Sequence, residues 1–116
     1  MSWTVLFHPD FDKEVSNLPA VVRVELLANL RLLAQVGPSL KRPHADTLHG
    51  SAFANMTELR FKSAGGVWRV GLAFDPKRQA IVLVAGDKSG MSSKRFYREL
   101  IEKADARYRQ HLKAME

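Results

Sequence analysis

The chain has no cysteine. Disulfide bridges, thiolate metal sites and cysteine nucleophiles are therefore excluded, and the composition agrees with a reducing cytoplasm. No apolar run approaches the roughly 20 residues that a membrane-spanning helix needs. The N-terminal stretch also lacks the basic segment and the following apolar run of a secretory signal. We therefore expect a soluble protein that stays in the cytoplasm and does not contact a membrane.

Motifs for metal hydrolysis and for nucleotide chemistry are missing as well. The sequence has no HExxH pair, no carboxylate cluster with the spacing of metal ligands, and no glycine-rich phosphate loop followed by Lys and Ser or Thr. We therefore expect neither a cofactor nor a bound metal.

What the chain does contain is largely apolar and basic. Its 116 residues are 46% hydrophobic and 26% charged, which fits one folded domain over residues 1–116. The formal net charge is +6. Because each neutralised phosphate releases condensed counterions, such a charge favours a polyanionic partner, which could be nucleic acid, an acidic protein, or both.

The first half of the sequence predicts one strand and two helices. Residues 3–7 are aromatic and β-branched, as is typical of a strand. A short helix is expected to begin near Phe11 with Asp10 as its candidate cap, and residues 20–36 predict a longer helix with apolar side chains at helical spacing. Residues 37–55 show no sustained period and predict a long loop, of the kind that often carries function.

The second half predicts a three-stranded antiparallel meander and a C-terminal helix. Residues 57–62, 67–75 and 80–87 have strand character and are separated by turn residues, while residues 95–115 return to helical spacing. The order of strand, two helices, meander and helix predicts an α+β fold.

Alternation in the first two meander strands assigns their side chains to two faces of the sheet. The apolar set is expected to pack under the helices and comprises Leu59, Phe61, Trp68, Val70, Leu72 and Phe74. The opposite set is charged or small and comprises Glu58, Arg60, Lys62, Arg69, Gly71 and Ala73. Because Gly71 and Ala73 are small, we expect this second face to form a shallow groove for an extended ligand.

The charged face has the residue types that RNA cleavage without a metal requires. A base takes the proton of the 2′-hydroxyl, cations stabilise the pentavalent phosphate, and an acid protonates the leaving 5′-oxygen. The candidates for these roles are, in that order, Glu58 or His49, Arg69 with Arg60, and Lys88 or Tyr97. Further candidates for contacting RNA are basic residues of the loop, of the first meander strand and of the last helix: Lys41, Arg42, His49, Lys62, Lys94 and Arg95.

A purely structural interpretation stays open beside this one. Glu58, Arg60 and Lys62 can form a cross-strand ion-pair ladder on a solvated face, and His49 can be an ordinary loop residue. Arg69 stands between two apolar neighbours and beside a glycine, so it is harder to explain as surface.

Three stretches resemble the RelE/ParE superfamily of type II toxin–antitoxin toxins, and most closely its phage-derived HigB-like branch. They are RPHADTLHGSAFANMTELRF at 42–61, GGVWRVGLAFDPKRQAIVLVAGDKSG at 65–90 and FYRELIEKADARYRQHL at 96–112. The resemblance implies a small RelE-like ribonuclease fold, cleavage of mRNA at the ribosome, and arrest of translation and growth. It also implies a HigA-like helix-turn-helix antitoxin, which would provide the only contact with operator DNA.

By position, the resemblance also implies roles for single residues. Arg69 matches the phosphate-contacting arginine, Lys88 the basic residue after the third meander strand, and Tyr97, or else Phe96, the late aromatic. Glu58 stands where RelE has lysine, so the identity of the base stays open. Two other functions also stay open: a ParE-like inhibitor of DNA gyrase that cuts no RNA, and a basic interaction module that acts only in a complex with an antitoxin or DNA.

Overall fold

In the computed structural model, which describes residues 2–116, a five-stranded sheet has helices on both faces. In chain order the elements are β1 (Thr4–Phe7), α1 (Pro9–Val15), α2 (Ala20–Val36), a 3₁₀ turn (Gly37–Ser39), β2 (Ala45–Thr47), β3 (Met56–Ser63), β4 (Gly66–Phe74), β5 (Gln79–Asp87) and α3 (Ser93–Ala114). The predicted α+β order is confirmed. None of the helices in this part of the chain is both long and apolar enough to span a bilayer.

The strands lie in the order β1-β5-β4-β3-β2. β3, β4 and β5 form the predicted antiparallel meander, and β1 lies parallel to β5 at one edge. At the other edge β2 pairs with β3 and places Asp46 opposite Glu58. β2 was not predicted from the sequence, because three residues are too few to show an alternating pattern.

The face under α1 and α2 holds the apolar core that the alternation predicts. Buried residues of the two helices and of the sheet form one cluster: Phe11, Leu26, Leu30, Leu33, Leu59, Val70 and Leu72. Phe61 and Phe74 are half-buried and pack against it, whereas Trp68, which was also predicted for this core, is half-buried and is not part of the cluster. Burial of each large apolar side chain contributes about 1.5–3 kcal/mol, so this layer holds α2 against the sheet.

The second face of the sheet is not the open groove that we expected. α3 covers it, and buried residues of α3 and of the sheet form a second cluster: Met56, Ala73, Ile81, Leu83, Phe96, Leu100, Ala104 and Tyr108. At Gly71 a Cβ atom would lie 3.4 Å from Ala104 Cβ and 3.0 Å from Val84 Cγ1. Gly71 and Ala73 therefore make room for a helix rather than for a ligand.

β5 is apolar along most of its length because both of its faces are covered. Ala80 and Val82 belong to the first cluster, whereas Ile81 belongs to the second. The register with β4 shifts at one point, where Leu83 is the extra residue of a bulge. The continuous apolar run thus reflects a strand between two packed layers.

Polar side chains tie α3 to distant parts of the chain. Arg107 is buried, and its Nη1 and Nη2 donate to Glu14 Oε1 at 2.8 Å and to Glu14 Oε2 at 2.6 Å. Asp105 is also buried and accepts from Ser51 Oγ at 2.5 Å and from the Ala52 amide at 2.9 Å. These contacts fix α1 and the loop before β3 relative to α3.

The cap of α1 differs from the prediction. Pro9 occupies the first helical position, so the helix begins before Asp10, and the prediction of Asp10 as the cap is wrong. His8 is the capping residue: its Nδ1 accepts the Asp10 amide at 3.1 Å. The other ring nitrogen of His8 lies 2.9 Å from Gln110 Oε1 on α3.

Candidate active site

Two adjoining cavities open beside β3, near the start of α3. The first, which we call the acid–base cavity, measures about 410 Å³ and is lined by Arg42, Asp46, His49, Glu58, Arg60, Ser93, Lys94 and Tyr97. The second, which we call the cationic cavity, measures about 390 Å³ and is lined by Arg42, Pro43, Arg60, Phe61, Lys62, Val67 and Arg69. Since Arg42 and Arg60 line both, they form the boundary between the cavities.

Glu58, Arg69 and Tyr97 form a hydrogen-bonded cluster, in which Glu58 and Tyr97 line the acid–base cavity and Arg69 lines the cationic cavity. Tyr97 Oη donates to Glu58 Oε1 at 2.7 Å, and Arg69 Nε donates to Tyr97 Oη at 3.1 Å. Arg69 Nε also lies 3.4 Å from Glu58 Oε1. Glu58 is 7% and Arg69 6% exposed. The buried cation and the buried carboxylate therefore balance each other, as burial of charge requires.

Strand pairing and α3 bring these three residues together. Glu58 pairs with Gly71, so Arg69, two residues away on β4, is its diagonal neighbour on the same face. Tyr97 comes from the first turns of α3, where Phe96 is buried in the second cluster and turns Tyr97 toward the cavity. Of the two late aromatics that the sequence left open, Tyr97 is the one at the cavity.

Burial raises the pKa of the Tyr97 hydroxyl above its usual value, and the hydrogen bond to Glu58 raises it further, while Arg69 acts in the opposite direction. Tyr97 is therefore protonated at neutral pH and has a proton to donate. Only one oxygen of Glu58 is engaged in this way. Within residues 2–116, Glu58 Oε2 has no hydrogen-bond partner. It is not one of the fully buried polar atoms that lack a partner, so it is accessible to solvent.

Arg42, which lines both cavities, forms an ion pair with Asp46. Its Nη2 lies 2.8 Å from Asp46 Oδ2, and the amide of Thr47 donates to Asp46 Oδ1 at 2.9 Å. The hydrogen bond from Arg42 lowers the pKa of Asp46, and the Thr47 amide adds to the effect. Asp46 was not among the predicted site residues, because its place opposite Glu58 depends on the unpredicted strand β2.

The other predicted residues divide into those at the cavities and those away from them. His49 and Lys94 line the acid–base cavity, and Lys62 lines the cationic cavity. Lys88 is half-buried just after β5, with its Nζ 5.8 Å from the centre of the Tyr97 ring.

Two predicted RNA contacts lie elsewhere. Lys41 lines a separate depression, and Arg95 faces Glu99 on the exposed side of α3, with its Nε 3.4 Å from Glu99 Oε1.

The site supplies carboxylate, phenol and guanidinium groups. Among residues 2–116, no three or more His, Asp or Glu side chains are grouped so that they could hold a metal ion. Carboxylate, phenol and guanidinium groups can transfer protons and stabilise negative charge.

Comparisons with known proteins agree with this architecture. The family model described as "Phage derived protein Gp49-like" matches residues 13–109. Two curated relatives come from Mycobacterium tuberculosis. The putative toxin HigB2 is 42% identical over 92 residues, which is 78% of this chain and 45% of that protein. The putative toxin HigB3 is 50% identical over 76 residues, which is 66% of this chain and 64% of that protein. The chain thus spans less than two thirds of either relative.

A solved structure gives the likeness in three dimensions. The E. coli toxin RelE, in a free form with two arginines replaced by alanine, matches with a TM-score of 0.64. The match covers 89% of this chain and 97% of RelE at 17% sequence identity, a level at which it shows the fold alone. The RelE-like fold expected from the sequence is confirmed.

Proposed function

The chain belongs to the phage-derived Gp49-like family, within the HigB-like branch of the RelE/ParE superfamily, and from this premise we propose that it is the toxin of a HigB-type toxin–antitoxin system. Its activity is metal-independent cleavage of mRNA at the ribosome, which stops translation and growth. Its partner is a HigA-like helix-turn-helix antitoxin, through which the pair contacts operator DNA. The toxin names of both mycobacterial relatives support the first of these statements.

One observation carries the catalytic part of the proposal. Glu58 has one oxygen fixed by Tyr97 and one without a protein partner among residues 2–116, on the wall of a cavity that Arg42 and Arg60 also line. A carboxylate held in this way can accept a proton, and the cations beside it can bind the phosphate that reacts.

The reaction follows from this arrangement. Glu58 Oε2 takes the proton of the 2′-hydroxyl, and the 2′-oxygen attacks the neighbouring phosphorus. Arg60 and Arg69 stabilise the negative charge of the pentavalent phosphate. The bond to the 5′-oxygen breaks, leaving a 2′,3′-cyclic phosphate and a 5′-hydroxyl. Tyr97 gives its proton to the 5′-oxygen. The Glu58 carboxyl group then turns and passes the proton that it took to the Tyr97 oxygen, its hydrogen-bond partner, which restores both groups. The positive charge of nearby Lys88 stabilises the leaving oxygen.

Induced expression of the chain tests the proposal. We expect translation to stop and primer extension to show cut transcripts. Arg69→Ala removes a preorganised cation, so we expect it to lower the cleavage rate on the order of 100- to 1,000-fold and to relieve the growth arrest. Arg98→Ala is the matched control, because Arg98 is exposed on α3 and lines neither cavity.

Three results would count against the proposal. Full toxicity of a folded Arg69→Ala protein would remove Arg69 from the site. Growth arrest with intact transcripts, an SOS response and stalled gyrase complexes would replace RNA cleavage by gyrase inhibition. Harmless expression of the verified wild type would indicate an interaction module. Circular dichroism of each variant shows whether it is folded.

A further inference from the structure

The reaction just described uses two residues of the cationic cavity, Arg69 and the shared Arg60, and leaves the rest of that cavity without a role. Of the side chains that line it, Arg42, Arg60, Lys62 and Arg69 are cationic, and none is a carboxylate. The acid–base cavity, in contrast, contains both Asp46 and Glu58. The two cavities therefore differ in charge although they share a boundary.

Positive charge in the cationic cavity is incompletely neutralised. Arg60 pairs directly with Arg69 across β3 and β4, and like charges in that position destabilise a sheet. Arg69 has Glu58 as its partner at 3.4 Å. Within residues 2–116, the side chains of Arg60 and Lys62 have neither a hydrogen bond nor an ion pair. An anion bound here would offset the repulsion that the sheet otherwise retains.

The position of the cavity indicates which anion this is. Arg42 and Arg60 border both cavities, so a strand whose reacting phosphate lies in the acid–base cavity can continue past them into the cationic cavity. The remaining wall is formed by Pro43, Phe61 and Val67 and adds no polar side chain that could read a base edge. Contacts from the cations of this cavity to phosphate and sugar carry no sequence information.

We propose that the cationic cavity is a subsite for the phosphodiester next to the one that is cut in single-stranded RNA. Lys62 is the residue that tests the subsite, because it lines this cavity and not the other and, unlike Arg69, has no part in the proposed reaction. The inference rests on the proposed function. We expect the subsite to contribute to the affinity for RNA and not to the choice of sequence.

Binding of an uncleavable RNA tests the subsite. The probe is a fluorescent single-stranded oligonucleotide with all 2′-hydroxyls methylated, and the measurement is anisotropy at several salt concentrations. We expect Lys62→Ala to weaken binding about fivefold and to reduce the slope of log affinity against log salt by about 0.7, the value for one phosphate contact on a single strand. Lys77→Ala is the matched control, because Lys77 is exposed just beyond the opposite end of β4 and should change neither quantity.

A neutral linkage identifies the phosphate. When one methylphosphonate replaces the phosphodiester beside the cut position, the affinity of the wild type should fall by about the same factor, and the affinity of Lys62→Ala should not fall further. Equal losses in Lys62→Ala and Lys77→Ala, or an unchanged salt slope in Lys62→Ala, would overturn the subsite. So would a Lys62→Ala effect that persists when the linkages on both sides of the cut are neutral.

Cleavage by the wild type, measured separately, distinguishes the two proposals. If the wild type cuts RNA and Lys62→Ala binds the probe like the wild type, the subsite fails and the function stands. If the wild type cuts no RNA while Lys62→Ala still weakens binding in the predicted way, the ribonuclease proposal fails and the phosphate site stands.

Discussion

Glu58 lies at the boundary between the packed interior and the acid–base cavity. Oε1 accepts from Tyr97 and lies near Arg69, which a purely structural carboxylate would also do. Oε2 has no protein partner among residues 2–116, as a base that receives a substrate proton requires. The two roles predict different results when the charge of Glu58 is removed and its shape is kept.

Glu58→Gln makes that distinction. The amide oxygen of glutamine can still accept from Tyr97, but glutamine cannot take a proton at neutral pH. We therefore expect the single-turnover cleavage rate to fall about 100- to 10,000-fold, the usual range for a general base. Glu99→Gln on the exposed side of α3 is the control. A rate within tenfold of the wild type would mean that Glu58 only positions Arg69.

At the scale of secondary structure, α3 both completes the core and builds the site. Leu100, Ala104 and Tyr108 cover the second face of the sheet, while Tyr97, one turn earlier than Leu100, reaches Glu58. The close approach of α3 to the sheet depends on small residues, since Ala104 of α3 lies against Gly71 of β4. The distance between α3 and the sheet thus sets the geometry of the cluster.

Ala104→Leu tests this dependence. A larger side chain at the contact with Gly71 should push α3 outward, and overpacking of this kind costs about 1–3 kcal/mol. Ala106→Leu is the same change on the exposed side of the same helix and should stay within about 0.5 kcal/mol. Urea unfolding measures both. Equal stabilities would show that the α3–sheet contact tolerates added volume.

At the scale of the whole molecule, the ion pair of Glu14 and Arg107 links α1 on one face of the sheet to α3 on the other. The hydrogen bond from Arg107 is the main cause that lowers the pKa of Glu14 below its ordinary value of 4.5, and burial acts in the opposite direction. The pair is fully formed above pH 4.5. As the pH falls, the unfolded chain binds a proton at Glu14 before the folded protein does, so the free energy of unfolding decreases.

Glu14→Gln should remove this contribution. We expect the variant to be less stable at pH 7 by about 0.5–1 kcal/mol, a modest value because the Glu14 side chain is 44% exposed and solvent screens it. Its stability should also fall less steeply than that of the wild type as the pH decreases below about 4.5. Glu25→Gln, exposed on α2, is the control. Identical pH profiles for wild type and Glu14→Gln, from urea unfolding at several pH values, would contradict the linkage.

Much of the fold could be predicted from the sequence. The period of α2, the alternation of β3 and β4, and the turn residues between the strands are local properties, and they determine element order and the apolar face under α2. Composition likewise determines the basic net charge and the absence of thiol chemistry. These features depend on residues that are neighbours in the chain, so they can be predicted without a structure.

Tertiary structure decided the rest. It alone placed α3 over Gly71 and Ala73, paired β2 with β3, and divided the predicted RNA contacts into those at the cavities and those, such as Lys41 and Arg95, away from them. It also brought Tyr97 to Glu58, 39 positions away in the chain. The physical reason is that these contacts depend on how packed layers approach each other, and local periodicity contains no information on that distance.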